Sequence, residues 1–161
     1  MRENQVDLYF EVADDLSAAE HNSLVSAENV LYWLNTAVQH LHYSSPIELT
    51  VRAISKAESQ ALNLAYRAKD KPTNVLSFAA ETPDFVESDY IGDIAICVAV
   101  LTEEAHTQNK KVEAHWAHLC VHGLLHLLGY DHINEDDAQI METLETSILA
   151  SLGIDDPYQD G

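Results

Sequence analysis

The stretch Val121-His-Gly-Leu-Leu-His-Leu-Leu-Gly-Tyr-Asp-His132 contains three histidines and two glycines among apolar residues. Its leucines predict the last turns of a buried helix, which extends upstream to about Val112. Gly129 predicts the left-handed residue that follows a helix end, because glycine has no Cβ to clash in that conformation. The stretch therefore predicts a helix over about residues 112–128 and a chain reversal after it.

The spacing of the histidines in this stretch predicts a metal site. His122 and His126 are four residues apart, so they share one helix face with Cβ atoms about 5–6 Å apart. Both imidazoles can then reach one ion at about 2.0–2.1 Å. The reversal at Gly129 can bring His132 to the same ion. Three protein ligands leave a fourth position open, as in catalytic zinc sites, although nickel or copper would also accept these ligands.

Two further histidines and one aspartate lie close to this predicted site. His115 and His118 fall on roughly the same helical face as the ligands, and we interpret them as core residues or as supports for the metal ligands. Asp131 either orients a metal-bound water or forms the turn. The sequence slightly favours the turn.

A metal site with these histidines is compatible with at least two functions. Zinc proteases of the H-E-x-x-H-x-x-G-x-x-H type have identical histidine and glycine offsets. Their general-base glutamate directly follows the first histidine, where this chain has Gly123, so a peptidase or amidase is disfavoured unless Asp131 or a distant carboxylate replaces it. The second is a non-catalytic role, in which the metal only ties the last two helices together.

Length and composition predict one domain in a reducing compartment. The chain has 161 residues, a length that can bury a core without disulfides, and it contains two cysteines. Cys97 and Cys120 each lie alone in an apolar stretch, which is typical of small buried thiols. The first residues lack the pattern of a signal peptide, and no apolar run approaches the roughly 18 residues of a membrane span. We expect a cytoplasmic protein that does not bind membranes.

The charge is strongly acidic and unevenly distributed. The net charge of −19 argues against broad electrostatic attraction to nucleic acid or anionic membranes. However, five of the eight basic residues lie within 20 residues, whereas residues 131–161 carry nine acids and no lysine or arginine. The sequence therefore leaves open a local cationic patch, formed by Arg52, Lys56, Arg67, Lys69 and Lys71.

The periodicity of the chain predicts a single α+β domain, with about four strands in a mixed sheet, about five helices and the metal-binding helix-turn near the C-terminus. Strands are predicted at Val6–Val12, Ile47–Ile54, Asn74–Phe78 and Ile91–Val98. Ser55 and Glu58 predict a capping box at the start of a helix that ends near Arg67. Asp93 either supports the metal ligands or forms a bulge at a strand edge, and we favour the structural role. The other predicted helices are Ala27–Leu41, Val98–Thr107, Val112–Leu128 and one from about Asn134 to Gly153.

Taken together, these segments resemble the YbeY family of bacterial rRNA maturation factors. The resemblance rests on Leu62-Asn-Leu-Ala-Tyr-Arg67, on Lys69-Asp-Lys-Pro-Thr-Asn-Val-Leu-Ser-Phe78, on Gly92-Asp-Ile94 and on His118 through His132. It runs in one order from about residue 47 to Asp156-Pro-Tyr158. Ala79 departs from the pattern, since many members have proline there, and we expect it to alter only a strand end.

The resemblance implies a single-strand-specific, metal-dependent endoribonuclease that acts in 16S rRNA 3′-end maturation and ribosome quality control. It implies zinc ligands at His122, His126 and His132, with His122 belonging to the catalytic centre. It also implies a functional arginine at Arg67. Lys69 and Lys71 are then expected to contact the RNA backbone. The expected partners are single-stranded RNA and the ribosome or its proteins, and DNA is not expected. The non-catalytic alternative is then a ribosome-associated metal-binding protein.

Overall fold

The computed structural model describes residues 5–81, 88–130 and 134–158. These residues form the four strands β1 Val6–Val12, β2 Ile47–Ile54, β3 Val75–Ala79 and β4 Tyr90–Cys97. They also form six helices, α1 Ala18–Asn22, α2 Ala27–His40, α3 Lys56–Arg67, α4 Val98–Thr107, α5 Val112–Leu127 and α6 Glu135–Ser151. The predicted α+β class is confirmed.

The strands form one mixed sheet in the order β1-β2-β4-β3. β1 and β4 each pair with β2 in parallel, and β3 pairs with β4 in antiparallel orientation at the sheet edge. The alternation predicted for β2 is present, because Ile47, Leu49, Val51 and Ala53 are buried and the residues between them are partly exposed. Side chains that alternate in this way place one face of a strand against the core.

α5 packs against β3 and β4 of the sheet and against α2, α4 and α6. The larger core cluster joins apolar side chains of α2, α5 and α6 to the sheet, with Leu34, Trp116 and Leu124 among its fully or almost fully buried members. A smaller cluster on the other side contains Leu76 and Ala95, against which Leu62 of α3 packs. Helix α5 is therefore held by neighbours along most of its surface. This burial fixes the position of the histidines it carries.

The start of α3 at Lys56 was predicted correctly, although its capping box is incomplete, and the start of α1 was not predicted. Ser55 accepts a hydrogen bond from the Glu58 amide, but the Glu58 carboxylate pairs with Arg52 at 3.0 Å instead of completing a capping box. The complete capping box occurs at Ser17 and Glu20, at the start of the short helix α1. Five residues are too few to give a periodic pattern, so the sequence analysis did not identify α1.

Both predicted backbone irregularities are present. Gly129 has a φ of 104°, and the amides of Gly129 and Tyr130 donate to the carbonyls of His126 and Leu125. This is a Schellman motif, which ends a helix and reverses the chain. In β4, the register with β2 shifts between Tyr90 and Gly92. Asp93 beside this bulge is exposed and accepts a hydrogen bond from Tyr90, as expected for a structural residue.

Two compositional expectations can be compared with the described ranges. No helix there is both long and apolar enough to cross a bilayer. Cys97 and Cys120 are free, buried thiols, as predicted. Burial raises the pKa of the Cys120 thiol, which keeps it protonated and unreactive.

Candidate active site

The two histidines with helical spacing interrupt an otherwise buried part of α5. Val121, Gly123, Leu124 and Leu125 are buried against the core, whereas His122 and His126 are partly exposed on one face of the helix. The His122 side chain is 25% exposed. The pair is thus anchored by its apolar neighbours and accessible from outside. A metal or a substrate oxygen could approach such a face.

The third predicted ligand, His132, lies outside the described residues, as does Asp131. The described part of the chain contains no group of three histidine, cysteine or carboxylate side chains arranged around an ion. It does contain the chain reversal at Gly129, three residues before His132. The three-histidine site therefore remains a prediction.

Glu145 of α6 brings the histidine side chains of α5 together. Its side chain is fully buried. Oε1 lies 2.5 Å from Nδ1 of His122, and Oε2 lies 3.3 Å from Nε2 of His118. Oε2 also accepts a hydrogen bond from the Tyr158 hydroxyl. A buried carboxylate with several donors is satisfied in its ionised form.

The electrostatics of this cluster favour a charged carboxylate. Burial raises the pKa of Glu145, but the hydrogen bonds from His118, His122 and Tyr158 outweigh it and bring the pKa to about 2. Burial lowers the pKa of His118 and raises that of Tyr158. The tyrosine is consequently a donor to Glu145 near neutral pH.

His115 belongs to a second polar network, one turn before His118. It is almost fully buried, and its Nε2 lies 2.9 Å from Oε1 of Glu104 in α4. Asn74 donates to the same oxygen at 3.0 Å. The hydrogen bond from His115 is the main reason that the pKa of Glu104 is lowered, and burial opposes it. This network ties α4, α5 and the start of β3 together.

Gly123 is a glycine because of packing. A Cβ at this position would lie 2.8 Å from Cγ2 of Ile94 in β4, closer than real Cβ contacts come. Any side chain at position 123 would therefore point at the sheet, where there is no space for it. The glutamate of the protease motif cannot be accommodated there, in agreement with the sequence argument against a peptidase.

The predicted cationic patch divides into paired and exposed residues. Arg52 pairs with Glu58 and, at 3.6 Å, with Glu11, and Lys56 pairs with Glu103 at 2.5 Å. Arg67, Lys69 and Lys71 are exposed and form no salt bridge within ranges 5–81, 88–130 and 134–158. Only these three of the five remain available to an anion from outside.

Two buried polar residues of α3 position the loop that carries these cations. Ser59 donates to the carbonyl of Thr73 at 2.8 Å and accepts from its amide at 2.9 Å. The Asn63 side-chain amide donates to the backbone carbonyl of Lys71 at 2.9 Å. The backbone carbonyl of Asn63 accepts from the Lys69 amide. The turn itself begins at the left-handed Ala68, with a φ of 58°. The loop is thus fixed to α3 at both ends.

Edge strand β3 connects the cationic loop to the histidine helix. The ring of Tyr66, adjacent to Arg67, meets the ring of Phe78 edge-on, with centroids 4.9 Å apart. The neighbouring Ser77 donates to the carbonyl of Gly123 at 3.3 Å. Since Gly123 follows His122, the chain of contacts runs from the arginine end of α3 across β3 to the histidines. A polymer would have to pass over the edge of β3 to reach both groups, because Ser77 and Phe78 point to opposite faces of the strand.

Comparison with known proteins identifies the class to which this site belongs. The profile of the family described as Endoribonuclease YbeY matches residues 14–153. The α+β fold with its histidine helix and cationic loop is therefore that of an enzyme that cuts RNA internally. The chain belongs to the YbeY family, whose members act in rRNA maturation.

A solved structure is similar in fold. The solution structure of a Thermotoga maritima protein matches with a TM-score of 0.52 and 20% sequence identity, and the match covers 96% of this chain and 99% of that chain. This likeness supports the fold alone.

The sequence analysis missed Glu145 and Tyr158 as parts of the site. Glu145 is 23 residues after His122, within an acidic segment where a solvated side chain is the ordinary expectation. One signal was present. Glu145 lies four residues after Met141 and three before Ile148, so it interrupts the buried face of α6.

Proposed function

We propose that this endoribonuclease cleaves single-stranded RNA during 16S rRNA 3′-end maturation, with one divalent ion, most simply Zn²⁺, held by His122, His126 and His132. The observation that carries the metal part is the 2.5 Å contact between Nδ1 of His122 and the buried Glu145 carboxylate. Histidines that bind metal usually donate their other ring nitrogen to such a group.

The residues present fit a zinc ion. His122 and His126 lie one turn apart on an exposed face of α5, and the reversal at Gly129 precedes His132. Imidazole is a ligand that zinc prefers. When bound, the ion would supply Lewis acidity toward a phosphodiester oxygen.

Arg67 is proposed to bind the scissile phosphate or a phosphate next to it. A guanidinium stays protonated and donates two parallel hydrogen bonds to phosphate oxygens, which suits the charge that develops during cleavage. Lys69 and Lys71, on the loop fixed by Asn63, would follow the RNA backbone on either side. Their exposure and the link through β3 support this assignment.

Tyr66 adds a surface for a base. Its side chain is 68% exposed although it is large and aromatic, and Phe78 supports its ring. Aromatic rings stack on the unpaired bases of single strands, which bases held inside a duplex do not offer. We propose that Tyr66 contributes to selection of single-stranded substrate.

The ribosome is the proposed source of additional affinity. Arg67, Lys69 and Lys71, on a chain of net charge −19, give little attraction to free RNA. We therefore propose that ribosomal RNA or ribosomal proteins position the enzyme in the cytoplasm, in maturation and in ribosome quality control. A nanomolar Kd for naked RNA at about 0.15 M salt would contradict this weak-binding proposal.

The first test is cleavage of a labelled single-stranded RNA by zinc-loaded protein. His126→Ala is the test variant, and His106→Ala, an exposed histidine at the end of α4, is the matched control. We expect wild type and His106→Ala to cut and His126→Ala to be inactive while folding normally. Equal cleavage by all three proteins would reveal a contaminating nuclease and contradict the metal-dependent mechanism.

The second test concerns Arg67. We expect Arg67→Ala to lower kcat/KM by about 10²–10³-fold, as loss of one transition-state donor does. Arg67→Lys should recover only part of the activity, since an ammonium cannot form the two-pronged contact. Metal content should be unchanged in both variants, which would distinguish Arg67 from a residue that binds the metal.

A further inference from the structure

Glu145 is an unusual residue for the place it occupies. It lies on the face of α6 that also carries Met141, Ile148 and Leu149, all of which are fully buried. An ionised carboxylate in such a place loses its hydration, and only well-placed donors offset that cost. An apolar residue would pack here at lower cost. The carboxylate is therefore explained by the groups that it contacts.

Its contacts define the proton positions on two histidines. An ionised carboxylate can only accept hydrogen bonds, so each nitrogen that approaches it must carry the proton. His122 meets Oε1 through Nδ1 at 2.5 Å, and His118 meets Oε2 through Nε2 at 3.3 Å. The proton of neutral His122 is thereby assigned to Nδ1, and the lone pair to Nε2.

We infer that Glu145 is a positioning residue that fixes the tautomer and ring orientation of His122, so that Nε2 of His122 is directed to the divalent ion. This inference rests on the proposed metal site. Tyr158 and His118 complete the arrangement, because both contact Oε2 and leave Oε1 to His122. Glu145 itself is not a ligand in this arrangement, since both of its oxygens face donors.

The C-terminal segment after α6 holds this arrangement from outside. Tyr158 reaches Glu145 from a segment that is fixed by two other contacts: Lys110 donates to the carbonyl of Pro157 at 3.0 Å, and Thr146 donates to Asp156 at 3.3 Å. The segment therefore closes over the side of Glu145 that the histidines do not cover. Removing the Tyr158 hydroxyl should loosen the carboxylate without touching His122.

The test combines histidine NMR with metal binding. Two-bond ¹H–¹⁵N spectra of metal-free protein report which ring nitrogen of His122 is protonated, and a chelator-competition titration with Zn²⁺ reports affinity. The variants are Glu145→Gln and Glu145→Leu, with Glu142→Gln, on the same helix, as matched control. Tyr158→Phe is the milder second variant, and it keeps the inference testable if a Glu145 variant fails to fold.

We expect wild type and Glu142→Gln to show His122 protonated at Nδ1. Glu145→Leu should lose this single tautomer, and Glu145→Gln should keep it only in part, because one amide oxygen cannot serve both histidines. Zinc affinity should fall by about 10–100-fold in the Glu145 variants, and by less in Tyr158→Phe. Cleavage of RNA should fall in parallel with zinc occupancy and recover at saturating zinc.

Two results would overturn the inference alone: a wild-type His122 protonated at Nε2, or equal zinc affinity in Glu145→Leu and Glu142→Gln. Failure of the proposed metal site looks different. In that case wild type would bind no zinc, and the Nδ1 tautomer of His122 would still depend on Glu145.

Discussion

Gly123 and Ile94 approach so closely that α5 and β4 leave no space for a side chain between them. A Cβ on Gly123 would meet three atoms of the Ile94 side chain, at 2.8, 3.0 and 3.1 Å. The histidine helix therefore lies against the sheet at a distance that glycine sets. His122, the residue before Gly123, is held in place by this contact.

Gly123→Ala should consequently destabilise the protein. Overpacking of a close contact costs about 1–3 kcal/mol, and the better helix propensity of alanine recovers only about 1 kcal/mol. Urea unfolding should show the loss. In the double variant Gly123→Ala/Ile94→Ala, which removes all three contacting atoms, the loss should be smaller than the sum of the single losses. An alanine variant more stable than wild type would show that the helix shifts freely.

Asn63→Ala should affect both stability and substrate binding. The substitution removes the donor to the Lys71 carbonyl from a fully buried position, and an unsatisfied group of this kind costs about 1–3 kcal/mol. It also frees the loop that carries Lys69 and Lys71, so KM for RNA should rise more than kcat falls. Leu64→Ala, an exposed neighbour on α3, is the control. If KM stays at the wild-type value, the loop does not bind substrate.

The Glu104 network predicts acid sensitivity. His115 lowers the pKa of Glu104 below its ordinary value of 4.5, so its contribution to stability is present above that pH and is lost as the pH falls through the lower folded-state value. His115, His118 and Lys110 are the charged or titratable groups near it. Unfolding free energy measured between about pH 5 and pH 3 should therefore fall less steeply in Glu104→Gln than in wild type.

Exposed Glu113→Gln is the control for this measurement and should keep the wild-type slope. Identical slopes in wild type and Glu104→Gln would mean that the carboxylate gains nothing from the folded structure.

The loop lysines should determine the salt dependence of RNA binding. Each lysine that neutralises a phosphate of a single strand contributes about 0.7 to the slope of log Kobs against log salt. Lys69→Gln and Lys71→Gln should each reduce the slope by about that amount. Lys56→Gln should not, because Lys56 is paired with Glu103. The same slope in all four proteins would place the RNA elsewhere.

Tyr66→Ala should weaken binding of single-stranded RNA. Loss of one stacked base costs about 1–3 kcal/mol, or about 5–150-fold in KM. Tyr66→Phe should retain most of the affinity because the ring remains. Tyr32→Ala removes a similarly exposed tyrosine from α2 and serves as control. Equal losses in the Phe and Ala variants would point to the hydroxyl and contradict stacking.

The elements that the sequence predicted well are those with a repeating local pattern. β2 alternates with a period of two and α5 is apolar along its length, so both were placed within one or two residues. Gly129 was assigned its role because a helix end needs a positive φ there. Each of these features depends only on residues that are close together in the sequence, so the sequence alone predicts it.

Contacts between distant residues were harder to predict. Glu58 has a helix-capping position, but Arg52 competes for its carboxylate from the neighbouring strand. In the sequence, nothing distinguishes Glu145 from the other acidic residues of α6, because its contact with His122 forms only when α6 packs against α5. The division of the five clustered cations likewise depends on which acids the fold brings near Arg52 and Lys56. In each case the partner is chosen by tertiary packing.

The dependence of the His122 ring on α6 has a consequence for the order of synthesis. The ribosome synthesises a chain from its N-terminus, so His122 is made before Glu145 and Tyr158. Until α6 has been made and has packed against α5, His122 lacks the carboxylate that orients its ring, and Tyr158 joins this contact later still. An enzyme that cuts RNA thus gains the support for one of its site histidines only after α6 has been translated and packed.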